Sequence, residues 1–226
     1  MKGKLIVIEG TDCSGKETQS KMLIERLKKD GYPVEKFSFP MYDTPTGKMI
    51  GGPYLGKSYI CDGWFKEGAD KVDPKVAALY YAADRRYNMD KIVSLLNTGV
   101  HVILDRYTYS NMAHQGGKIT DTNERLNMYA WLDVLEFKLL ELPKPDIAIF
   151  LHMPYEAAEE LRKCRFEKPD QLEMNPEHLK HAEQAYQELA QTYHWKTIEC
   201  AEDGHARPID EIGEEIYRYM KEQLSQ

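Results

Sequence analysis

A glycine-rich segment, residues 10–17, constrains the fold of this chain more than any other stretch. It reads GTDCSGKE and lies between an apolar run, residues 5–8, and a helical pattern that continues to Lys29. In that setting, a glycine, four residues, a second glycine and a lysine form a phosphate-binding loop, because backbone N–H groups and the helix N-terminus surround the anion. We expect Lys16 to reach the outer phosphates of a triphosphate, and an ordinary glycine-rich turn is the weaker alternative.

The residue after Lys16 departs from this motif. A Ser or Thr hydroxyl normally follows the lysine and binds Mg2+, whereas this chain has Glu17, with Thr18 one position later. A carboxylate beside bound phosphates needs a positive neighbour, and Mg2+ readily takes carboxylate oxygens as ligands. We therefore expect Glu17 to lie near Mg2+, directly or through a water molecule. The alternative is that Glu17 faces solvent and another carboxylate holds the metal with water.

Charge and cysteine content exclude several classes of protein. The net charge of -7 argues against a general nucleic-acid-binding protein, which would present a basic surface. The four cysteines are far apart and form no Cys-x-x-Cys pair, so we expect neither a metal framework nor a disulfide framework. No apolar stretch approaches the length of a membrane span. We expect a cytoplasmic protein, without a membrane or nucleic-acid partner, that folds as one domain, 1–226.

Apolar runs alternate with helical patterns along the chain. The strand-like runs are residues 5–8, 34–39, 100–104, 146–152 and 196–199. This alternation predicts an α/β fold with a five-stranded, mostly parallel sheet and helices on both of its faces. Ligands bind such sheets beyond the carboxyl ends of the strands. Functional-looking groups follow three of the runs, at residues 9–10, 39–40 and 105–106.

The longest stretch without periodicity is residues 41–73, which is rich in Gly, Pro and Tyr. We expect an irregular loop with one or two short helices, in which Trp64 and Phe65 are buried. Elsewhere, capping residues and glycine or proline stops mark the ends of longer helices. These helices are expected over residues 73–97, 122–142, 155–168 and 175–193.

Charged and amide side chains follow the third strand. Asp105 is placed to hold Mg2+, directly or through water, and Arg106 to bind a phosphate with its planar guanidinium group. An ordinary surface ion pair is the alternative. Asn111 and Gln115 come shortly afterwards, close to glycines. Their amides suit the edge of a nucleobase, because each offers both a donor and an acceptor.

Two further features suit a nucleotide site, although each has a plain structural alternative. Tyr81 and Arg85 are four residues apart and share one helix face, where they would stack on a base and bond its carbonyl. Helical spacing alone favours a core tyrosine and a solvated arginine. A basic cluster would close over phosphates as a lid, although a solvated helix face explains its charge equally well. The cluster comprises Arg162, Lys163, Arg165 and Lys168.

The sequence resembles the thymidylate kinases over nearly its whole length. The matching segments are residues 9–16, Phe39-Pro40 with Thr44 and Gly47, residues 81–85, residues 105–116 and residues 170–173. The resemblance implies the adenylate-kinase-like phosphate-loop fold and transfer of a phosphoryl group from Mg-ATP to dTMP, giving dTDP. It also implies a homodimer and a short basic lid near residues 155–175.

The resemblance assigns roles to individual residues. The catalytic residues would be Lys16, Arg106, Arg162 and Arg165. ATP would bind to Gly10, Thr11, Asp12, Cys13, Ser14, Gly15, Lys16, Glu17 and Thr18. The acceptor would be bound by Asp12, Phe39, Pro40, Tyr42, Tyr81, Arg85, Arg106, Asn111, His114 and Gln115. By the reasoning given above for the phosphate loop and the third strand, and not by the resemblance, Mg2+ would be held by Glu17 and Asp105.

Several of these positions differ from the pattern of the family. Besides Glu17, Tyr42 replaces an arginine that binds the acceptor phosphate, and His114 replaces a tyrosine beside the deoxyribose. A kinase for another nucleoside monophosphate, or for a deoxynucleoside, is the nearest alternative function. A non-catalytic nucleotide-dependent switch is a remote one, since the chain has no Asn-Lys pair from which a guanine-binding Asn-Lys-x-Asp motif could form.

Overall fold

A five-stranded parallel sheet forms the centre of the computed structural model, which describes residues 2–163 and 169–225. In chain order its strands are β1 (Leu5–Gly10), β2 (Val34–Ser38), β3 (His101–Asp105), β4 (Ile147–His152) and β5 (Lys196–Glu199). Across the sheet their order is β2-β3-β1-β4-β5, and every neighbouring pair is parallel. A short antiparallel ribbon of β6 (Ala201–Glu202) and β7 (His205–Ala206) follows. The predicted sheet is thus confirmed.

Helices connect the strands and cover the sheet. Within the described residues the α-helices are α1 (Lys16–Lys29), α2 (Pro45–Met49), α3 (Pro74–Asn97), α4 (Thr108–Gly116), α5 (Thr122–Asp133), α6 (Tyr155–Lys163), α7 (Pro176–Thr192) and α8 (Ile209–Leu224). Side chains of Asp73, Asp121 and Asn175 accept backbone N–H bonds in the first turns of α3, α5 and α7, as capping residues do. Across residues 2–163 and 169–225, no helix combines the length and apolar composition that a membrane crossing requires.

The central strand β1 is buried on both faces, as its continuous apolar sequence predicts. Successive side chains of a strand point to opposite faces of the sheet. Ile6 and Ile8 accordingly pack in one cluster with apolar residues of α1 and α8. Leu5 and Val7 pack in a second cluster with apolar residues of α3. The helices therefore lie on both faces of the sheet, and β1 is held between them.

The carboxyl ends of β1, β2 and β3 meet at one edge of the sheet. Ile8 is in register with Asp105, and the backbone N–H of Arg106 donates to the carbonyl of Ile8 at 3.1 Å. The N–H of Phe39 donates to the carbonyl of Asp105, also at 3.1 Å. The Phe39-Pro40 peptide bond is cis. The three strand ends that carry the predicted functional groups are therefore neighbours.

The expected helix over residues 122–142 is wrong in its second half. Helix α5 ends at Asp133, and Val134–Leu139 forms a π-helical turn. The N–H of Leu140 donates to the carbonyl of Leu135, five residues earlier, at 2.9 Å. This wider turn contains Glu136, whose side chain is completely buried. Single π-helical turns often occur at functional sites.

Three other local expectations need revision. The sequence pattern does not predict α4, because eight of its nine residues are buried and no single apolar face results. The burial expected for Trp64 is wrong, since it is 74% exposed, whereas Phe65 packs edge-to-face on Tyr54. Of the basic helix expected over residues 155–168, the structure describes α6, which reaches Lys163, and residues 164–168 lie outside the described residues.

The packing of the first core cluster yields a stability prediction. Ile149 in β4 is completely buried in that cluster. We expect Ile149→Ala to lower the free energy of unfolding by about 2–5 kcal/mol, because the substitution removes apolar contacts and leaves a cavity. Urea denaturation followed by circular dichroism measures the change. Ile209→Ala is the control: Ile209 is 57% exposed, and a loss comparable to that of Ile149→Ala would contradict the described core.

Candidate active site

A cavity of about 720 Å³ opens at the carboxyl ends of β1, β2 and β3. The residues of the phosphate loop and helix α1 that line it are Asp12, Cys13, Gly15, Lys16, Glu17 and Thr18. The other predicted site residues that line it are Phe39, Pro40, Tyr42, Tyr81, Arg85, Asp105, Arg106, Asn111, His114 and Gln115. Three loop residues predicted to bind ATP complete the loop without lining the cavity in this structure: Gly10, Thr11 and Ser14.

The phosphate loop has the backbone conformation that its glycines permit. Gly15 has a φ of +82°, in the left-handed region, and directly precedes α1. At Gly10 a Cβ atom would lie 2.6 Å from Ser14 Oγ and 2.7 Å from the carbonyl oxygen of Leu151, so no side chain fits. Cys13 also adopts a positive φ, of 63°. The loop therefore closes tightly between the end of β1 and the start of α1.

Lys16 is buried and folds back over its own loop. Its Nζ donates to the backbone carbonyl of Thr11 and to Ser14 Oγ, the latter at 3.3 Å. Burial, together with the nearby charge of Arg106, lowers the pKa of the Lys16 ammonium group to about 8. A bound polyphosphate would place negative charge next to this ammonium group and so favour its charged form.

Arg106 is the second cationic group of the cavity. It forms an ion pair with Asp12, and its Nη1 lies 3.2 Å from the Gly10 carbonyl oxygen, 3.3 Å from Ser110 Oγ and 3.1 Å from the Tyr186 hydroxyl. Burial acts against the charged guanidinium group, but Asp12 and other nearby acidic groups hold the pKa of Arg106 above its ordinary value. The group is therefore positive at any physiological pH.

Glu9 supports the segment that carries Arg106, and the sequence analysis did not assign it this role. Its carboxylate accepts the backbone N–H groups of Tyr107 (2.9 Å) and Ser110 (3.2 Å) and the Ser110 hydroxyl (2.5 Å). The Tyr186 hydroxyl lies 3.3 Å from the same carboxylate. Burial raises the pKa of Glu9. An acidic residue at the end of a buried strand was a visible signal, whereas nothing in the sequence pointed to Tyr186 on α7.

At the far end of the cavity, helix α3 presents Tyr81 and Arg85. Arg85 is only 2% exposed, so the solvated arginine considered from helical spacing is wrong. Its guanidinium group forms an ion pair with Glu136, which is completely buried. Asn111 Nδ2 donates to Glu136 at 3.1 Å. The structure thus joins two predicted base-binding residues through an acid that the sequence analysis missed.

Two histidines lie beside Arg106. His114 Nδ1 and His178 Nε2 are 3.2 Å apart, and His114 Nε2 is 3.5 Å from Arg106 Nη1. Burial lowers the pKa of His114 well below its ordinary value, and the charge of Arg106 lowers it further. Burial also lowers the pKa of His178, to about 4. Both rings are therefore neutral near pH 7, and they add no charge to that of Arg106.

Two carboxylates at the mouth of the phosphate loop are candidates to hold a metal. Asp105 Oδ2 lies 3.8 Å from Lys36 Nζ, and Glu17 Oε1 lies 2.6 Å from Lys21 Nζ on an exposed helix face. Within residues 2–163 and 169–225, no group of three or more His, Cys, Asp or Glu side chains could hold a metal. Two carboxylates suit Mg2+, which retains water and takes its other oxygens from phosphates.

The predicted lid contributes to the cavity only in part. Asp170 and Glu173 line the cavity. Arg162 does not line it; its guanidinium carbon lies 4.8 Å above the ring centre of Tyr155, within α6. Arg165 lies outside the described residues. Catalytic roles for Arg162 and Arg165 therefore remain predictions.

Comparisons with known proteins show the family and the fold of this chain. The family model described as Thymidylate kinase matches residues 8–216. The thymidylate kinase of Plasmodium falciparum is 30% identical over 217 residues, which cover 96% of this chain and 89% of the relative. A probable thymidylate kinase of Pyrococcus horikoshii is 38% identical over 167 residues, covering 73% and 71% of the two chains. The structure of thymidylate kinase from Candida albicans superposes with a TM-score of 0.75 at 26% identity, covering 98% of this chain and 92% of that one. The chain belongs to the thymidylate kinase family, whose members use ATP to phosphorylate dTMP to dTDP.

Proposed function

We propose that the cavity is the site at which this protein transfers the terminal phosphoryl group of ATP to dTMP. One observation supports the proposal most directly: two cations, the buried Lys16 from the phosphate loop and the largely buried Arg106 from the end of β3, line one cavity. A nucleoside monophosphate kinase needs two phosphate sites facing each other. The loop would hold the phosphates of ATP, and Arg106 would hold the phosphate of the acceptor.

The reaction makes modest chemical demands on the protein. A phosphate oxygen of dTMP attacks the γ-phosphorus of ATP, and the bond to the β,γ-bridging oxygen breaks, leaving ADP. The attacking oxygen is already anionic, so no general base is required. Positioning and neutralisation of charge supply the catalysis, and these are the roles of Lys16 and Arg106. Closure of a lid that carries Arg162 and Arg165 would add positive charge and exclude water.

Asp12 would exchange partners when the acceptor binds. In this structure its carboxylate neutralises Arg106. A dianionic phosphate is the stronger partner for a guanidinium group, since it offers paired oxygens and more charge. Binding of dTMP would thus draw Arg106 from Asp12. The released carboxylate could then accept the sugar 3'-hydroxyl, the role that the resemblance implies for it.

Asp105 and Glu17 would hold Mg2+ at the phosphate end of the site. When bound, the metal neutralises phosphate oxygens and orients them for transfer. Glu17 offers a carboxylate at the position where a hydroxyl is usual in the motif. Its ion pair with Lys21 joins two largely exposed side chains, and such pairs contribute little energy. A divalent cation can therefore replace Lys21 as the partner of the carboxylate.

We propose a homodimer in the cytoplasm, formed by a single kinase domain, 1–226, with a lid near residues 155–175. Leu79 on α3 and Leu126 on α5 are 49% and 48% exposed, which offers apolar surface to a partner subunit. Sedimentation of the purified protein tests the dimer.

The substrate assignment is tested with a panel of acceptors in a coupled assay that measures ADP. We expect the highest kcat/KM for dTMP among dTMP, dUMP, dCMP, dGMP, UMP and thymidine. Arg106→Ala should lower kcat with dTMP about a hundredfold or more, because the variant loses a charge that stabilises the transferring group. Arg218→Ala, at an exposed pair with Glu214, is the control and should retain activity. Preference for thymidine over dTMP would refute the proposal.

The pKa of Lys16 predicts how ATP binding depends on pH. In the free protein this pKa is lowered to about 8, so the ammonium group loses its proton as the pH rises through that value. Bound phosphates favour the charged form, and binding above pH 8 therefore requires uptake of a proton. We expect the dissociation constant for ATP, measured by calorimetry, to rise about tenfold per pH unit above 8. Lys16→Arg stays charged and should remove this dependence; constant affinity of the wild type up to pH 9.5 would contradict it.

The metal assignment predicts a shift in the Mg2+ requirement. Glu17→Gln should raise the Mg2+ concentration at half-maximal activity by about tenfold, because a ligand or water-mediated partner of the metal loses its charge. Glu17→Thr should recover part of the loss, since it restores a hydroxyl at that position. Thr18→Ala is the control and should change little, because one residue along a helix rotates a side chain by about 100°. If the Mg2+ concentration at half-maximal activity is unchanged in Glu17→Gln, Glu17 is not a metal ligand, and Asp105 holds the metal with water.

A further inference from the structure

Glu136 is a completely buried acid that lies behind the far end of the cavity. It belongs to the π-helical turn Val134–Leu139 and is not one of the described residues that line the cavity. Its two direct partners among side chains, Arg85 and Asn111, do line it. A buried carboxylate is costly unless it is paired and fully hydrogen-bonded. Glu136 is therefore placed to act on a ligand through these two residues without touching it.

The contact with Arg85 leaves one edge of the guanidinium group available. Arg85 donates to Glu136 from Nε, at 2.9 Å, and from Nη2. Its Nη1 makes only a long contact of 3.5 Å, with the carbonyl of Tyr107. Since a guanidinium group is a planar fork of donors, Glu136 determines which edge is occupied. The Nη1 edge can then donate to a carbonyl oxygen of a ligand.

The contact with Asn111 determines the orientation of its amide. Nδ2 donates to Glu136 at 3.1 Å and to the backbone carbonyl of Ala78 at 3.2 Å. Both partners are acceptors, so a flipped amide would set its oxygen against two other oxygens. Oδ1 is buried and has no hydrogen-bond partner among residues 2–163 and 169–225. A buried acceptor without a partner, on a residue that lines a cavity, is suited to a donor on a ligand.

We propose that Glu136 is a positioning residue that selects the base of the acceptor, by holding Arg85 as a donor and Asn111 as an acceptor. This inference rests on the proposed function. Thymine and uracil present an imide, in which a ring N–H lies beside a carbonyl oxygen, and this pattern complements Asn111 Oδ1 and Arg85 Nη1. Cytosine presents a ring nitrogen that accepts and an amino group that donates. Against the same pair it would set acceptor against acceptor and donor against donor, so the pocket rejects it.

The substitution Glu136→Gln alters this pattern in a defined way. Three donor groups reach Glu136: Nε and Nη2 of Arg85 and Nδ2 of Asn111. A glutamine amide has one acceptor oxygen and an NH2 group, so it cannot satisfy all three. Asn111 can relieve the conflict at position 136 if its amide flips and accepts from the new NH2 group, although the flip gives up its bond to the Ala78 carbonyl. Its own NH2 group then becomes available to the ligand, and this donor suits the ring nitrogen of cytosine.

Glu188 provides a matched control within the same chain. Its carboxylate accepts from Arg125 Nε at 2.9 Å and Nη2 at 2.7 Å, and from the Tyr129 hydroxyl at 3.2 Å. It thus receives the same two arginine donors and two further donors, since Gln184 Nε2 also donates to it, at 3.4 Å. None of these residues lines the cavity as the structure describes it. Glu188→Gln therefore disturbs an ion pair of the same bonding pattern, although a less buried one, without acting on the base.

The experiment measures kcat/KM for dTMP, dUMP and dCMP at saturating Mg-ATP in the wild type, Glu136→Gln and Glu188→Gln. We expect the ratio of dTMP to dCMP to fall at least tenfold in Glu136→Gln, mainly through a higher KM for dTMP, while the KM for ATP is unchanged. The ratio of dTMP to dUMP should be the same in all three proteins, because both bases carry the imide. Glu188→Gln should keep the wild-type ratio of dTMP to dCMP.

Each outcome separates this inference from the proposed function. An unchanged ratio of dTMP to dCMP in folded Glu136→Gln would overturn the role of Glu136, and so would an equal fall in Glu188→Gln. Failure of the wild type to phosphorylate dTMP would refute the proposed function instead. If Glu136→Gln does not fold, Glu136→Asp carries the test. Its shorter carboxylate keeps the charge but cannot span both partners, and an unaltered ratio there would be equally decisive.

Discussion

The parallel pairing of β1 with β3 is the constraint on which the site depends. It places the end of β1, which continues into the phosphate loop, beside Asp105 and Arg106 at the end of β3. The bond from the N–H of Arg106 to the carbonyl of Ile8 continues this pairing one residue beyond the register. Two cationic groups from segments 90 residues apart along the chain (Lys16 and Arg106) thereby line one cavity. A shift in register would separate them, whatever the sequence of the loop.

Largely buried charge is the recurring feature of this cavity, and both of its arginines have a partner of opposite sign. Arg106 is paired with Asp12, and Arg85 with Glu136. A buried ion pair contributes little to stability relative to apolar packing, because desolvation offsets its Coulomb energy. Its value here is orientation: a planar guanidinium group with one edge occupied can donate only from the other edge. Lys16 donates instead to neutral oxygens of its own loop, and burial together with the charge of Arg106 lowers its pKa.

The sequence predicted the elements that depend on local pattern. The five strands of the sheet, the capped starts of α3, α5 and α7 and the phosphate loop follow from apolar runs, capping residues and glycine spacing. Helix α4 was not predicted, because burial on all sides removes the periodicity that reveals a helix. Another reason explains why no role was predicted for Glu136, Tyr186 and His178. Their contacts in the site are with partners 25 or more residues away along the chain. Such contacts exist only once the tertiary fold is known, and no local pattern indicates them.

Each end of the cavity has an arginine paired with a carboxylate, but the two pairs respond differently to a bound substrate. At the phosphate end, Glu9 fixes the backbone after β3, and Asp12 can leave Arg106 when a stronger anion arrives. At the base end, Glu136 has no competitor, because a neutral base offers no anion to displace it. The phosphate end is therefore able to rearrange with substrate, whereas the base end is preorganised. A change of base preference can then arise in the π-helical turn that carries Glu136, without any change to the groups that transfer phosphate.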